Sequence, residues 1–126
     1  CLEHRAAEDT IMINNALKEK LIKFRKKRDW EKFHKPKDLA ISLSIEAAEL
    51  LENFQLKTDE ETAGMLKGDK HKRITEEVAD IVIYLTYLCN DLKIDINKAV
   101  SRKLKINQKK YPSAKVRGSA KKYNEY

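Results

Sequence analysis

Apolar residues recur at Ile13, Leu17, Leu21 and Phe24, at intervals of three and four, and this spacing predicts a helix from Thr10 to about Arg28. The stretch RDWEKFHKP breaks the period, and Pro36 disfavours a helical conformation at Lys35, so a connection carrying Trp30, Phe33 and His34 is expected. A second helix opens near Asp38 and ends near Phe54 or Leu56, with Leu39, Leu43, Ile45, Leu50, Leu51 and Phe54 as its expected buried surface. From Lys57 to Asp69 the chain turns polar around Gly64 and Gly68, which reads as a loop with room for one short helical turn. A third helix begins near Lys70, its apolar positions running from Ile74 through Val78, Ile81, Val82, Leu85 and Leu88 to Leu92. Its centre, IVIYLTYL, is rich in β-branched residues, but the pattern continues for about 20 residues and strands seldom exceed about ten. Asp95 or Asn97 caps a fourth helix, whose Ile96, Val100 and Leu104 are expected to point at the same core. From Tyr111 onward no period persists, and the basic, tyrosine-containing end reads as a solvated tail.

These elements predict an all-α fold, a four-helix-type bundle with a basic C-terminal tail. Three glycines and two prolines in 126 residues support it, since sheet-rich folds need more turn residues. One helical domain is expected over residues 11–110, a basic tail over 111–126, and a disordered or vector-derived N-terminal segment over 1–10. No apolar run approaches the roughly 20 residues of a membrane span, and the N-terminus has no signal-peptide core, so no membrane association is expected. Cys89 lies inside an apolar run, where a reduced core thiol is the ordinary reading, in keeping with a cytoplasmic location. A chain this short buries a limited core, and subunit association is expected. The 27 basic against 20 acidic residues give a net charge of +7, which favours an anionic partner: nucleic acid, a membrane surface or a phosphorylated small molecule.

The acidic residues narrow that choice. Glu46 lies three residues after Leu43 and four before Leu50, in the stripe that faces the core, and Glu49 stands at i+3 from it. The third helix repeats the arrangement: Glu77 lies between Ile74 and Ile81, with Asp80 three residues on and Tyr84 a turn beyond. Any one of these carboxylates alone would be an ordinary helix-surface residue paired with a lysine. Two such pairs on two core-facing stripes are different, because desolvating four carboxylates costs several kcal/mol apiece, roughly, unless a cation offsets it. If the helices pack face to face, the pairs form an oxygen-rich cage suited to Mg²⁺, with Mn²⁺ the other fitting ion. Glu52, Glu60, Glu61 and Glu76 lie off those stripes and read as solvated.

E-x-x-E at Glu46 and Glu49, 27 intervening residues, and E-x-x-D at Glu77 and Asp80, flanked by RDWEKFHKPKDLA, EEVADIVIYLTYL and NQKKYPSAKVRGSAKKY, resemble the MazG-like all-α nucleotide pyrophosphohydrolases. Within them the match is to the smaller, dCTP pyrophosphatase-like branch, over roughly residues 12–124. The resemblance implies hydrolysis of nucleoside triphosphates, often deoxynucleotides, to the monophosphate and pyrophosphate. It implies a homodimer or homotetramer whose sites form where subunits meet. By position, Glu46, Glu49, Glu77 and Asp80 would be the catalytic, Mg²⁺-holding set, with Glu46 and Glu49 both open as the base. Trp30, His34 and Tyr84 match positions lining the base and sugar pocket; Lys103, Asn107, Lys110, Tyr111 and Arg117 match residues that would grip the triphosphate. Where dCTP-preferring relatives carry an aromatic residue after the second helix, this chain has Leu56, which weakens the expectation of cytosine preference. A basic helical module that binds nucleic acid is the rival reading. No motif organises the basic residues for it and it leaves the core-facing carboxylates unexplained, so a nucleotide substrate and no nucleic-acid partner is the expectation.

Overall fold

A computed structural model of the chain describes residues 12–120. The expectation for residues 1–10, the predicted start of the first helix at Thr10 and the end of the basic tail lie outside the described residues. Those described fall into two compact units, 13–93 and 94–120, Met12 grouping with the second. They are helical without a strand, and the all-α expectation holds among the described residues.

In the first unit, α1 spans Asn15–Lys27 and is started by Asn14, whose Oδ1 accepts the Leu17 N–H at 2.8 Å. Asp29, with φ 52, then turns the chain, and the Trp30 N–H returns to the Arg25 carbonyl at 3.2 Å. α2 spans Pro36–Glu52, two residues earlier than the expected opening at Asp38. The reason is that Pro36 occupies the first helical position, where a missing N–H costs nothing, and Asp38 falls in the first turn, where its charge suits the helix dipole. Asn53 closes α2 by donating from Nδ2 to the carbonyls of Glu49 and Leu50.

The expected loop is more structured than the polar composition suggested. Thr58 caps a short helix α3, Asp59–Ala63, by accepting the Glu61 N–H at 3.1 Å, and a 3₁₀ turn, Gly64–Leu66, buries Met65. Gly68, with φ 83, then opens α4, Gly68–Asp91, in a backbone conformation that a side chain would strain.

α2 packs along α4, and α1 packs on α4 more lightly. On α2 the buried face is narrower than expected. Leu39 is buried and Leu43 and Leu50 are half-buried, but Ile45 and Leu51 are 52% and 64% exposed. At about 100° per residue both project off the Leu39, Leu43, Leu50 stripe. In the second unit, Asp95 accepts the Lys98 N–H at 3.1 Å and starts α5, Ile96–Lys110. Beyond the Tyr111 cap, residues expected to be irregular form one turn of helix, α6, Ser113–Val116.

Candidate active site

Helical period puts Glu46 on α2 and Glu77 and Asp80 on α4 into the stripes along which the two helices meet. One carboxylate oxygen from each lies within 4.8 Å of the others, and all three residues are half-buried. Glu49, one turn beyond Glu46, is exposed and outside this triple, yet its charge acts on both Glu46 and Glu77. Glu49 and Glu77 line a cleft of about 410 Å³, together with Lys70 and Arg73. Glu52 and Glu76, expected to be solvated without a role, line the same cleft. Lys70 and Arg73 carry no sequence signal of their own in so basic a chain, and only the fold brings them to these carboxylates.

The electrostatics of the cluster are those of crowded acids. Burial pushes the Glu46 carboxyl from 4.5 to about 7, helped by hydrogen bonding with Glu77 and Glu49 and by the charges of Glu49 and Asp80. Hydrogen bonding with Glu46 pulls Glu77 down, but burial, Glu49 and Asp80 outweigh it, and Glu77 is raised overall. That bonding needs a proton, since two carboxylates cannot donate to each other. Even so, Glu46 Oε2 and Glu77 Oε2 are buried with no hydrogen-bond partner among the described residues. Two orphaned carboxylate oxygens beside a third acid fit a hard divalent cation, which would satisfy both and reverse the repulsion.

A row of rings continues from this cluster. Tyr84, one turn after Asp80 on α4, is raised by burial and then by the charges of Glu46 and Asp80, a hydrogen bond with Ser42 opposing. Its ring stands 6.1 Å from His34, which stands 6.1 Å from Trp30, which stands edge-on to Phe24 at 5.8 Å. Trp30 and His34 face one way because the segment between them is a helical turn, with the His34 N–H donating to the Trp30 carbonyl at 3.1 Å. Trp30, His34 and Tyr84 are thus brought together. Phe24 and Tyr87, which extend the row, were legible only as helix-periodic or core residues. Arg28 lies over the Phe24 ring at 3.6 Å.

Lys103, Asn107 and Lys110 belong to the second unit, at successive turns of α5, so they share one helix face. Tyr111 follows as its cap, donating its N–H to the Asn107 carbonyl at 2.8 Å, and Arg117 follows α6.

A model of the MazG-like family matches residues 41–126, which hold all four carboxylates. The chain belongs to the MazG-like family. It is 39% identical over 103 residues to dCTP pyrophosphatase 1 of Homo sapiens and 40% identical over 103 residues to that of Bos taurus. Each alignment covers 81% of this chain and 61% of the relative, so the chain spans about three fifths of the length of these relatives. It is also similar to the crystal structure of a pyrophosphatase from Archaeoglobus fulgidus DSM 4304, with a TM-score of 0.72 and 45% identity over 77% of this chain and 90% of that one. MazG-like pyrophosphatases are generally dependent on a divalent metal, and the cluster of Glu46, Glu77 and Asp80 is the acidic set this MazG-like chain offers. Among the described residues, no helix is long and apolar enough to cross a membrane.

Proposed function

We propose that this chain hydrolyses deoxynucleoside triphosphates to the monophosphate and pyrophosphate, using Mg²⁺ held by Glu46, Glu49, Glu77 and Asp80. The observation that carries the reading is the pair of buried, unpartnered oxygens on Glu46 and Glu77, two residues that each bring a carboxylate oxygen within 4.8 Å of one of Asp80. A fold does not leave such groups without a compensating ligand at no cost. When bound, the divalent ion supplies charge neutralisation at the phosphate oxygens and Lewis-acid polarisation of the phosphorus under attack, and Mn²⁺ is the substitute the same donors accept.

The chain's own residues do the rest. Either Glu46 or Glu49 is proposed as the base that accepts the proton of the attacking water as pyrophosphate leaves the α-phosphorus. Trp30, His34 and Tyr84 are the rings proposed to hold the base, and stacking on a ring face tolerates any base. Lys103, Asn107, Lys110, Tyr111 and Arg117 are proposed as triphosphate donors on their match to the family pattern alone. The named activity of the relatives, on dCTP, makes that nucleotide the first substrate to try. Removal of unwanted nucleotides from a cytoplasmic pool is the role such a reaction would serve.

A homodimer or homotetramer belongs to the same reading. Among the described residues only Leu39, Met65 and Tyr87 are buried as apolar core, while Ile41, Ile45, Leu51 and Val78 on the paired helices stand 46–64% exposed. A face that apolar on so small a unit is stabilised by a second copy.

The test is pyrophosphate release from the four dNTPs and four NTPs, with Mg²⁺, with Mn²⁺ and with EDTA. Metal-dependent release of pyrophosphate is expected. No release from any of the eight, or equal release in EDTA, would overturn the proposal.

A further inference from the structure

Arg25 is the most deeply buried charged residue described, at 3% exposure. Its Nη1 and Nη2 donate to Asp91 Oδ2 and Oδ1, both at 2.8 Å, joining α1 to the last residue of α4. The guanidinium carbon lies 4.6 Å from the centre of the Tyr87 ring, and the Tyr87 hydroxyl donates to the Leu21 carbonyl at 2.8 Å. Tyr87 is therefore held at its face by a cation and at its tip by a backbone acceptor. The His34 ring sits against it, 5.7 Å between centroids and tilted by 34°. Nothing in the hydrolytic reading uses Arg25, Asp91 or Tyr87, yet all three converge on the imidazole that it places against the base.

We propose that the Arg25–Asp91 pair is a positioning element for base recognition, clamping Tyr87 as the seat on which His34 is presented. The proposal rests on the reading of the aromatic row as the base site. Its physical content is that the seat fits only the uncharged imidazole. His34 Nδ1 is buried without a partner among the described residues. With its proton on Nε2, the neutral ring leaves one acceptor unpaired there. A hydrogen placed on it by protonation would be a buried donor with no acceptor, and the ring would have to leave Tyr87 to find one.

The charged and titratable groups facing His34 are Arg25 of α1, Asp38 of α2, and Tyr84, Tyr87 and Asp91 of α4. Burial holds His34 below its ordinary value and the Arg25 charge adds to this, while Asp91 and Asp38 pull the other way. The pair thus has two jobs that separate by experiment: the Arg25 charge adds to burial in keeping the proton off His34, and the fork with Asp91 keeps Arg25 over Tyr87.

Imidazole ¹³C labelling reads the His34 titration directly, the signal being assigned by its loss in His34→Gln. Arg25→Gln removes the cation and leaves Asp91 unpaired, so the His34 midpoint moves up; Asp91→Asn moves it down. Either change strands a buried charge or dipole and can unfold the chain. The double variant Arg25→Met with Asp91→Leu removes both charges and keeps apolar volume, and it moves the midpoint up because Arg25 acts more strongly than Asp91. In this variant KM for a dNTP should rise as pH falls through the new midpoint, by about tenfold per pH unit, with kcat unchanged at high pH. The native KM should begin this rise at lower pH. An unchanged His34 midpoint in the double variant, or a KM profile superimposed on the native one, overturns the proposal. If no dNTP is turned over at all, the hydrolytic reading fails, and dNTP binding in EDTA, followed by the His34 signal of native and double variant against pH, still decides this one.

Discussion

Replacing Glu46 with glutamine should make the metal-free protein more stable near pH 8 and remove a pH dependence that the native protein has. Native Glu46 is raised from 4.5 to about 7, first by burial and then by its acidic neighbours. A carboxyl whose value is higher folded than unfolded favours the fold while protonated. That contribution is present below 4.5, declines as pH rises from 4.5 to about 7, and is absent above. The difference of about 2.5 units corresponds to at most ~3 kcal/mol at 1.36 kcal/mol per unit. Glu49 and Glu77 open on a solvent-filled cleft, and screening reduces the effect to about 1–2 kcal/mol. Glutamine carries no charge, and its amide can donate to the orphaned Glu77 oxygen. The variant should therefore match the native protein near pH 4.5 and exceed it near pH 8, by about 5–10 °C in Tm. Circular dichroism melts from pH 4.5 to 8.5 in EDTA measure this. Added Mg²⁺ should raise the native Tm at pH 8 and leave the variant largely unmoved, because the ion relieves the same repulsion. A Glu46→Gln protein that is less stable than native at pH 8 in EDTA, or that keeps the native slope, would refute the reasoning.

Glu49→Gln and Asp80→Asn should each abolish pyrophosphate release while leaving helicity intact; full activity in either would remove that residue from the metal set. Light scattering at micromolar concentration should give a dimer or tetramer, and a mass near the 14.7 kDa of one chain would contradict association through the exposed apolar residues. Leu56 is 96% exposed with φ 59, so within its own chain it packs on none of the rings. The native protein should rank the four dNTPs weakly, and Leu56→Trp should raise kcat/KM for one base over the others. A native dCTP preference of about a hundredfold, roughly 2.7 kcal/mol, would show that the Leu56 position does not set the base ranking.

The long helices were legible because each repeats its apolar residues at the helical period, and the carboxylates because Glu46 and Glu77 interrupt those repeats where a charge is costly. α2 starts at Pro36 rather than at Asp38 because the ring that disfavours a helical Lys35 also suits the first position of a helix. Ile45 and Leu51 read as core by their apolar character, but at about 100° per residue both lie off the stripe of Leu39, Leu43 and Leu50 and are exposed. Arg25 and Asp91 were not legible at all. They pair across 66 residues, and in a chain with 27 basic residues nothing local marks one arginine as buried.

What unites the parts that sequence reasoning found with those it missed is a single stripe of α4. Glu77, Asp80, Tyr84, Tyr87 and Asp91 follow one another at intervals of three and four, so they lie along one face of one helix. At 1.5 Å per residue the stripe is about 21 Å long, with the acid cluster at one end, Tyr84 in the middle and the Arg25 clamp at the other. A helix fixes such spacings far better than loops do. On the proposed reading, then, the separation between phosphate chemistry and base recognition is built into the rise of α4. An insertion that shifts its register, such as one residue added between Asp80 and Tyr84, would uncouple the two without replacing a ligand of either.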